Sequence, residues 1–304
     1  MVVPASGPLA GEGVDAVKAV RQVAADANAV GGTAGREVQV VVAASEDRAA
    51  VESLSTRTDV VVGGFAVPSV PKVPWLMPAD PDVGGDNVIR ADLAPRAAGA
   101  RLAQDLADRH IDGQVGVVVG DGPEAALADG LTEKTRTTTV KAAADTSCEN
   151  EVADLHKLDP QPVAVAIAAP PSLATRCVDA LAKASGHPAG GILLAPSAAY
   201  AGIQSDAAAQ GARTFLGVPW PTSTNPGAAR FRAAVPKSTS YRAMVSFAGA
   251  ELAVAVARNS GARPVTVGAV VGGTWHGDLF DFQGGNNRAV TVVVAGPKEW
   301  APPG

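Results

Sequence analysis

Residues 7–44 read GPLAGEGVDAVKAVRQVAADANAVGGTAGREVQVVVAA. Within this stretch, apolar residues recur three and four positions apart between Val14 and Ala27, which predicts an amphipathic helix that ends at Gly31 and Gly32. The segment REVQVVVAA that follows is a nearly continuous apolar run, typical of a strand buried in a parallel sheet. A helix that leads directly into a buried strand is the repeating unit of α/β folds.

The same alternation of helix and strand continues along the chain. The predicted strands are DVVVGG, VPWLMPA, QVGVVVGD, TTTVKAAA, PVAVAIAA, GGILLAP and TFLGVPW; the predicted helices are EDRAAVESLS, APRAAGARLAQDLADRH, PEAALADGLTEK, ENEVADLHKL and PSLATRCVDALAKASG. A short polar helix near 206–210, a short helix over 228–234 and a long apolar helix over 241–259 complete the pattern. No low-complexity linker separates these segments, so we expect short crossovers between domains.

The composition excludes several classes of protein. The chain has 304 residues, 47% of them hydrophobic, and a formal net charge of −5. This length predicts two domains or one large one, and the apolar fraction is too high for a disordered chain. The negative charge argues against a nucleic-acid partner. No run of about 18 uncharged apolar residues occurs, so we expect no membrane span.

Two features bear on the cellular compartment and leave it open. In an intracellular enzyme, Cys148 and Cys177 would be unrelated buried thiols, whereas in a secreted protein they would form one disulfide. Met1 is followed at once by VVPASGPLAG, which resembles a first strand and its loop rather than a signal peptide. A mature secreted chain and an intracellular protein would both begin in this way.

The ordered set of segments resembles a known family. GPLAG, a helix ending in DANAVGGTAGREVQVVV, then DVVVGG and VPWLMPA are similar to the start of the type I periplasmic binding proteins, in particular the branched-chain amino-acid receptor type used by ABC importers. GGILLAPSAAYAG, AAAQGARTFLGVPWP, RFRAAV, SFAGAELAVAVA and GDLFDFQGGNNRAVTVVV follow in the family's order. No single motif is specific, but the series covers nearly the whole chain.

The resemblance implies an α/β fold of two doubly wound parallel-sheet lobes, joined by three crossovers, with a ligand cleft between them. Mapped onto this chain, lobe one would be 1–92 plus 237–276, and lobe two would be 93–236 plus 277–304. The family also places a helix at ARPVTVGAVVGG, where the β-branched residues alone favour a strand. We follow the family there, because tertiary context can override local propensity.

The resemblance also implies a function. The chain would be an extracytoplasmic solute-binding protein, secreted or lipid-anchored, that closes about a hinge on its ligand and delivers it to ABC permease subunits. It would be no enzyme, use no cofactor, and meet the membrane only through a removed N-terminal anchor. In that setting we expect a Cys148–Cys177 disulfide, because Cys148 directly precedes one crossover helix and Cys177 lies about two turns into the next.

Two other functions remain open. The same fold could be the ligand-sensing module of a signalling system. The second alternative is a nicotinamide-dependent enzyme. The predicted strand QVGVVVG leads into Gly120-x-Gly122-x-x-Ala125, which fits the dinucleotide-binding fingerprint, and Asp145 could bind the ribose. Pro123 stands where the backbone should approach phosphate, and a tight turn explains the glycines equally well.

Further catalytic motifs are missing from the sequence. The histidines at 110, 156, 187 and 276 do not share a helix face at metal-binding spacing, and no GxSxG, P-loop or HExxH motif occurs. Ligands of doubly wound sheets bind beyond the carboxyl ends of the strands. The candidate ligand-binding residues at those ends and along the start of the long helix are Phe65, Ala66, Met77, Ala79, Asp80, Asp121, Gly122, Pro170, Ser197, Tyr200, Trp220, Tyr241 and Phe247.

The sequence departs from the family where an α-amino acid would be held. The receptors usually carry a serine or threonine on a helix soon after the DVVVGG-like strand, but three prolines within 68–74 leave no room for that helix. Met77 stands where serine is common, and Ala207 aligns with the ammonium-binding acid, although Asp206 is adjacent. We therefore predict a ligand with one polar and one apolar end, such as an aromatic or short aliphatic carboxylate, rather than a branched-chain amino acid.

Overall fold

The computed structural model describes residues 1–65, 72–78, 85–184, 188–203, 206–261, 264–296 and 299–303. The chain forms two compact units. Unit 1 comprises Met1–Asp92 and Gly217–Val290, and unit 2 comprises Leu93–Leu216 and Thr291–Gly304. Both are α/β, as the alternation of helices and strands predicts.

The helices follow the predicted amphipathic segments closely. They are α1 (Ala10–Ala29), α2 (Arg48–Arg57), α3 (Pro95–Asp108), α4 (Ala126–Thr132), α5 (Glu149–His156), α6 (Pro171–Lys183), α7 (Ser197–Tyr200), α8 (Pro226–Ala234), α9 (Tyr241–Ser260) and α10 (Val267–Val271). Helix α10 lies where the family resemblance, and not β-propensity, placed a helix. Among the described residues, no helix is long and apolar enough to cross a membrane.

The strands are short in unit 1 and longer in unit 2. They are β1 (Val2–Val3), β2 (Ala43–Ala44), β3 (Val61–Val62), β4 (Trp75–Leu76), β5 (Val88–Ile89), β6 (Val115–Val119), β7 (Thr137–Lys141), β8 (Ala164–Ala168), β9 (Ile192–Leu194), β10 (Arg213–Leu216), β11 (Thr274–His276), β12 (Asp281–Gln283), β13 (Asn286–Asn287), β14 (Thr291–Ala295) and β15 (Trp300–Ala301).

Unit 2 is built on a seven-stranded sheet in the order β15-β14-β10-β9-β8-β6-β7. Strands β7, β6, β8, β9 and β10 pair in parallel, and β14 and β15 add an antiparallel edge. The chain adds β7 on one side of β6 and then returns to add β8 on the other. This reversal makes the sheet doubly wound, with its switch point between β6 and β8.

Unit 1 has shorter ladders around a small core. Strands β1 and β2 pair in parallel, as do β3, β4 and β5, and β11 to β13 form an antiparallel sheet. Fully buried side chains of Leu54 and Trp75 anchor the core beneath β1 to β4. Helix α1 packs against α9, and small residues such as Ala16 and Ala19 line its buried face.

Three local expectations need correction. Val14 was expected on the buried face of α1 but is 53% exposed, because the buried face runs instead through Gly13 and Ala16. Of the strand expected over 36–44, only Ala43–Ala44 pairs with another strand among the described residues, and Arg36 forms an isolated bridge with Thr33. The helix expected over 123–134 begins with a 3-10 turn, Pro123–Ala125, before α4. The helix expected over 206–210 is a 3-10 turn, Ala207–Ala209.

The units also divide the chain differently from the expected lobes. Residues 217–236 and 277–290 were expected in lobe two, and both belong to unit 1. Arg230 on α8 explains this, because its guanidinium pairs with Glu251 on α9 at 2.9 Å and also with Asp278. These ion pairs link both segments to α9, the long helix of unit 1.

Candidate functional site

In unit 2, the switch point brings two predicted residues together. Gly122 follows β6 and Pro170 follows β8, and these strands are neighbours. Gly122 has φ +120°, and a Cβ added there would lie 3.2 Å from Pro170 Cγ. The position therefore demands glycine both for its backbone and for the close approach. Asp121 is exposed beside them, where its carboxylate can reach a ligand.

Ser197 and Tyr200 form the next part of the same edge. They are the first and last residues of α7, which follows β9, and both are buried. Within the described residues, the Ser197 hydroxyl has no hydrogen-bond partner. A buried hydroxyl without a partner costs free energy unless something else satisfies it, so Ser197 has an unused polar group to offer a ligand.

Glu124 is a residue at this edge that the sequence analysis did not select. It lies in the 3-10 turn after β6 and is only 2% exposed. A glutamate is rarely buried to this degree without a specific role. Its sequence context, PEAALADG, suggests a solvent-facing first helical turn, and only the tertiary packing shows otherwise.

In unit 1, the ends of β3 and β4 meet the first half of α9. Phe65 and Met77, which follow these strands, are 1% and 0% exposed. Met77 has φ +57°, a strained conformation for a residue other than glycine. Arg242 Nη1 donates to the carbonyl of Gly64 at 2.9 Å, which holds the chain after β3 against the helix.

Aromatic residues cluster at the start of α9. Trp220 stacks on Tyr241 with ring centroids 5.2 Å apart and an interplanar angle of 12°. Phe247 lies elsewhere, packed edge-on against Phe231 with centroids 5.8 Å apart. The Trp220 indole Nε1 is buried and, among the described residues, has no acceptor. Trp220 and Tyr241 therefore form one buried, stacked aromatic pair, whereas Phe247 belongs to the core between α8 and α9.

Beside this stack is a group of polar contacts that the sequence analysis missed. We call it the Asp92 cluster: Asp92, Gly217, Tyr241 and Asn287. Asp92 Oδ1 accepts hydrogen bonds from the Gly217 amide and from the Tyr241 hydroxyl. Asn287 Nδ2 donates to the carbonyls of Ala91 at 3.0 Å and Gly217 at 2.6 Å. The cluster brings together residues at or near all three segment ends where the chain passes between unit 1 and unit 2: Asp92 and Gly217 at the ends themselves, and Asn287 three residues before Val290.

Burial perturbs both acids of the Asp92 cluster. Desolvation raises the pKa of Asp92 to about 7, although the Gly217 amide, the Tyr241 hydroxyl and the charge of Arg90 act in the opposite direction. Burial and the nearby carboxylate raise the pKa of Tyr241 well above its usual range. Asp92 Oδ2 is enclosed without a partner among the described residues, so its charged form is poorly solvated.

The predicted ligand-binding residues are thus placed in two groups. Gly122, Pro170, Ser197 and Tyr200, with Asp121 beside them, follow the carboxyl ends of strands in the unit 2 sheet. In unit 1, Trp220 and Tyr241 lie at the start of α9, and Phe65 and Met77 follow the strands that meet the first half of this helix. Ala66, Ala79 and Asp80 lie outside the described residues, as does His187. Asp92 could have been suspected because it follows β5 closely, but nothing in the sequence points to Asn287.

The cysteines form the expected disulfide. Cys148 and Cys177 are bonded, with their Cα atoms 4.9 Å apart, and both are fully buried. The bond links α6 to the residue that precedes α5. Among the residues that the structure describes, no three histidine, cysteine, aspartate or glutamate side chains are grouped so as to hold a metal ion.

No protein-family model and no curated protein matches the chain, but solved structures do. An extracellular ligand-binding receptor from Verminephrobacter eiseniae ef01-2 is 14% identical, with TM-score 0.72 and 98% of each chain covered. A possible leucine/isoleucine/valine-binding protein from Rhodopirellula baltica SH 1 is 14% identical, with TM-score 0.71, covering 100% of this chain and 95% of its own. A solute-binding protein of an ABC transporter from Rhodopseudomonas palustris HaA2, in complex with p-hydroxybenzoic acid, is 15% identical, with TM-score 0.68 and coverage of 99% and 94%.

Proposed function

We propose, from the premise that this chain has the fold of the type I periplasmic binding proteins, that it is an extracytoplasmic solute-binding protein that delivers a small ligand to an ABC permease. The likeness of the whole chain to solute-binding receptors carries the proposal. The disulfide supports an oxidising compartment, because such bonds are rare in reducing ones. Binding, and not covalent chemistry, is the expected activity.

For the ligand, we propose a molecule with one polar and one apolar end, such as an aromatic carboxylate. In unit 2, the buried Ser197 hydroxyl can donate to a ligand carboxylate, whereas the exposed Asp121 can only accept, from a hydroxyl or amine of the ligand. In unit 1, the buried Trp220–Tyr241 pair provides aromatic rings, and its indole N–H has no acceptor among the described residues. The acid named with the Rhodopseudomonas palustris protein has this character, which supports the class but not the individual compound.

Isothermal titration calorimetry tests the ligand class directly. Aromatic and short aliphatic carboxylates, with leucine, isoleucine and valine beside them, would be titrated into the purified chain. We expect micromolar or tighter binding of at least one aromatic or keto acid and none of the three amino acids. Micromolar binding of leucine would overturn the ligand assignment and leave the solute-binding proposal intact. Failure of every member of a broad solute panel would count against both.

Matched tryptophan variants then locate the site. Trp220→Phe keeps an aromatic ring on Tyr241 and removes the indole N–H, so ligand affinity should fall about two- to tenfold, since one hydrogen bond between neutral groups is worth about 0.5–1.5 kcal/mol. Trp275→Phe is the control, because its Nε1 already donates to the carbonyl of Val270 at 2.8 Å. The control should lower stability and leave affinity unchanged. Equal losses of affinity in both variants would remove Trp220 from the site.

Ligand-dependent closure, which the family resemblance implies, stays a prediction. If it occurs, solution scattering should give a smaller radius of gyration at saturating ligand than without ligand. An unchanged scattering profile at saturation would argue for binding without a change in the arrangement of the units.

A further inference from the structure

The segment 217–223 carries Trp220 and is held by side chains from other elements of unit 1. Two residues before the tryptophan, the Val218 amide donates to the Tyr241 hydroxyl at 3.2 Å. The Trp220 ring stacks on the ring of the same tyrosine. The chain before Trp220 and one face of its ring are therefore both fixed against α9.

After Trp220 the chain makes a β-turn. The Ser223 amide donates to the Trp220 carbonyl at 3.0 Å, which closes a turn of four residues. Pro221, at the second position, has the fixed φ that such turns favour. This single hydrogen bond holds the turn together but does not hold it against the rest of unit 1. Because Trp220 is the first residue of the turn, a movement of the turn would also move the tryptophan.

Arg232 ties the turn to a helix. It lies in the last turn of α8, and its Nη1 donates to the carbonyl of Pro221 at 2.6 Å and to the carbonyl of Ser223 at 2.8 Å. Hydrogen bonds from a charged donor are stronger than those between neutral groups. Helix α8 is itself anchored in the core by the fully buried Phe231, so the two bonds connect the turn to a fixed element.

The charge of Arg232 is used on backbone carbonyls and not on an acid. Arg230, two residues earlier on the same helix, pairs with Glu251 at 2.9 Å and also with Asp278. Within the part of the chain that the structure describes, the hydrogen bonds of Arg232 go to the two turn carbonyls alone. The two arginines are therefore a matched pair, in which Arg230 links helices and Arg232 holds the turn after Trp220.

The position of the turn matters because of what Trp220 offers to a ligand. Its side chain is only 5% exposed, and its Nε1 has no acceptor among the described residues. An indole nitrogen can only donate, and a buried donor without an acceptor costs free energy. A neutral oxygen on the ligand would satisfy it, provided that the N–H points in a fixed direction, because hydrogen bonds weaken steeply as they bend.

We propose that Arg232 is a positioning residue for Trp220. By fixing the turn 220–223, it sets the direction of the indole N–H and makes the site selective for an aromatic carboxylate that bears a ring hydroxyl. This inference rests on the proposed function, since it takes Trp220 to contact the ligand. It adds a second polar group, on the otherwise apolar end of the ligand, and a residue that selects for that group without touching it.

Paired ligands and paired variants test the proposal by calorimetry. The ortho, meta and para hydroxybenzoates are each titrated beside the methylbenzoate of the same substitution, because a methyl group has nearly the size of a hydroxyl and cannot accept a hydrogen bond. We expect the wild type to bind at least one hydroxy acid about two- to tenfold more tightly than its methyl partner. This preference should vanish in Trp220→Phe and in Arg232→Met. Arg230→Met is the control, which should lose stability and keep the preference.

The ratio of the two affinities is the deciding quantity, because a merely structural defect would weaken the binding of both acids equally. Arg232→Lys should restore part of the preference, since one ammonium nitrogen can also donate to both carbonyls. A second readout needs no ligand. The indole N–H signal of Trp220 in ¹H–¹⁵N NMR spectra, assigned by its loss in Trp220→Phe, should shift in Arg232→Met and stay in place in Arg230→Met. If Arg232→Met does not fold, Arg232→Lys replaces it, with a smaller shift expected.

Each contrary result has a distinct meaning. Equal binding of the hydroxy and methyl acids by the wild type would overturn this inference and leave the proposed ligand class intact. A preference that survives in Arg232→Met, or an indole signal that does not move in it, would show that Arg232 does not position Trp220. Failure of the wild type to bind any aromatic carboxylate would overturn the proposed ligand class and this selectivity with it.

Discussion

The Tyr241 hydroxyl donates to Asp92 Oδ1 at 3.4 Å and accepts from the Val218 amide at 3.2 Å. The first residue of α9 is thereby tied to the end of one segment of unit 1 and to the beginning of the next. Trp220 stacks on the same tyrosine ring. Tyr241 therefore takes part both in the hydrogen bonds of the Asp92 cluster and in the aromatic stack, so its replacement should weaken both.

Replacing Tyr241 by phenylalanine should lower the free energy of unfolding by about 1–3 kcal/mol, because the buried Val218 amide loses its acceptor and Asp92 loses a donor. Urea denaturation at pH 7 measures this. Combining Tyr241→Phe with Asp92→Ala, which removes the shared acceptor, completes a double-mutant cycle, in which we expect a coupling of at least about 0.5 kcal/mol. Strict additivity would mean that the 3.4 Å contact contributes nothing.

Asp92 should make stability fall as the pH rises. Its folded pKa is raised to about 7, above the unfolded value of about 3.9, so the folded state binds the proton more tightly. The contribution is fully present below about pH 4, declines between about pH 4 and 7, and is lost above that range. Asp92→Asn should remove this dependence while keeping an acceptor for the Gly217 amide.

The measurement is the difference in unfolding free energy between wild type and Asp92→Asn at pH 4.5 and pH 7.5. From pH 4.5 to pH 7.5, the unfolding free energy of Asp92→Asn should rise relative to that of the wild type by a few kcal/mol at most. Taking the difference cancels other titrating groups, such as Glu251, whose burial also raises its pKa. A difference that is constant with pH would contradict the raised pKa of Asp92.

Gly217 should tolerate no side chain. A Cβ there would lie 1.8 Å from the carbonyl oxygen of Ala91, so Gly217→Ala requires backbone movement within the Asp92 cluster. We expect a loss of more than about 3 kcal/mol, in the range of severe packing defects. The control is Gly11→Ala in α1, where nothing lies within 4 Å of the added atom and alanine should stabilise by up to about 1 kcal/mol. Thermal unfolding of both variants measures these effects. A small loss of stability in Gly217→Ala would contradict the close packing of Gly217 against the Ala91 carbonyl.

Asn287 and Asn286 provide a test with identical chemistry at adjacent positions. Asn287→Asp removes the amide donor and leaves the carbonyls of Ala91 and Gly217 facing a carboxylate, which should cost about 2–4 kcal/mol. Asn286 is exposed and donates only to Gly284 at 3.3 Å, so Asn286→Asp should change stability by less than about 0.5 kcal/mol. Chemical denaturation at pH 7 compares the two. Similar losses of stability in the two variants would show that the hydrogen bonds from Asn287 to Ala91 and Gly217 make no specific contribution.

Removing the disulfide should be costly. The Cys148–Cys177 bond closes a loop with a sequence separation of 29, and a loop of this size contributes about 3–4 kcal/mol by restricting the unfolded chain. The Cys148→Ala, Cys177→Ala double variant should lose about that amount in urea denaturation. As a check on the bond itself, thiol titration in denaturant should find no free thiol before reduction and two after it. Two thiols before reduction would refute the bond.

Much of the architecture could be predicted from local patterns. The long helix expected over 241–259 is α9, Tyr241–Ser260, and the apolar run QVGVVVGD contains β6, Val115–Val119. Periodicity and apolar runs are properties of neighbouring residues, so they survive in the sequence. Most of the strand expected over 36–44 does not form for the opposite reason, since a ladder needs a partner and, among the described residues, only Ala43–Ala44 pairs with another strand.

The sequence predicted the candidate site only as the set of residues that follow the carboxyl ends of the strands. Gly122 and Pro170 follow neighbouring parallel strands, so their proximity follows from the order of the chain. Asp92 was passed over because its partners Gly217 and Tyr241 are 125 and 149 positions away. Glu124 was passed over because its helical turn reads as solvent-facing.

The sequence by itself determined the α/β class, the order of helices and strands, and the two cysteines available to pair. Only the tertiary structure decided which residues belong to unit 1 and which carbonyls accept from the Asn287 amide. The reason is physical: helix and strand formation depend on side chains a few positions apart, whereas Asn287 reaches Ala91 across 196 positions. Such contacts, and the burial that raises the pKa of Asp92, exist only once distant segments are brought together.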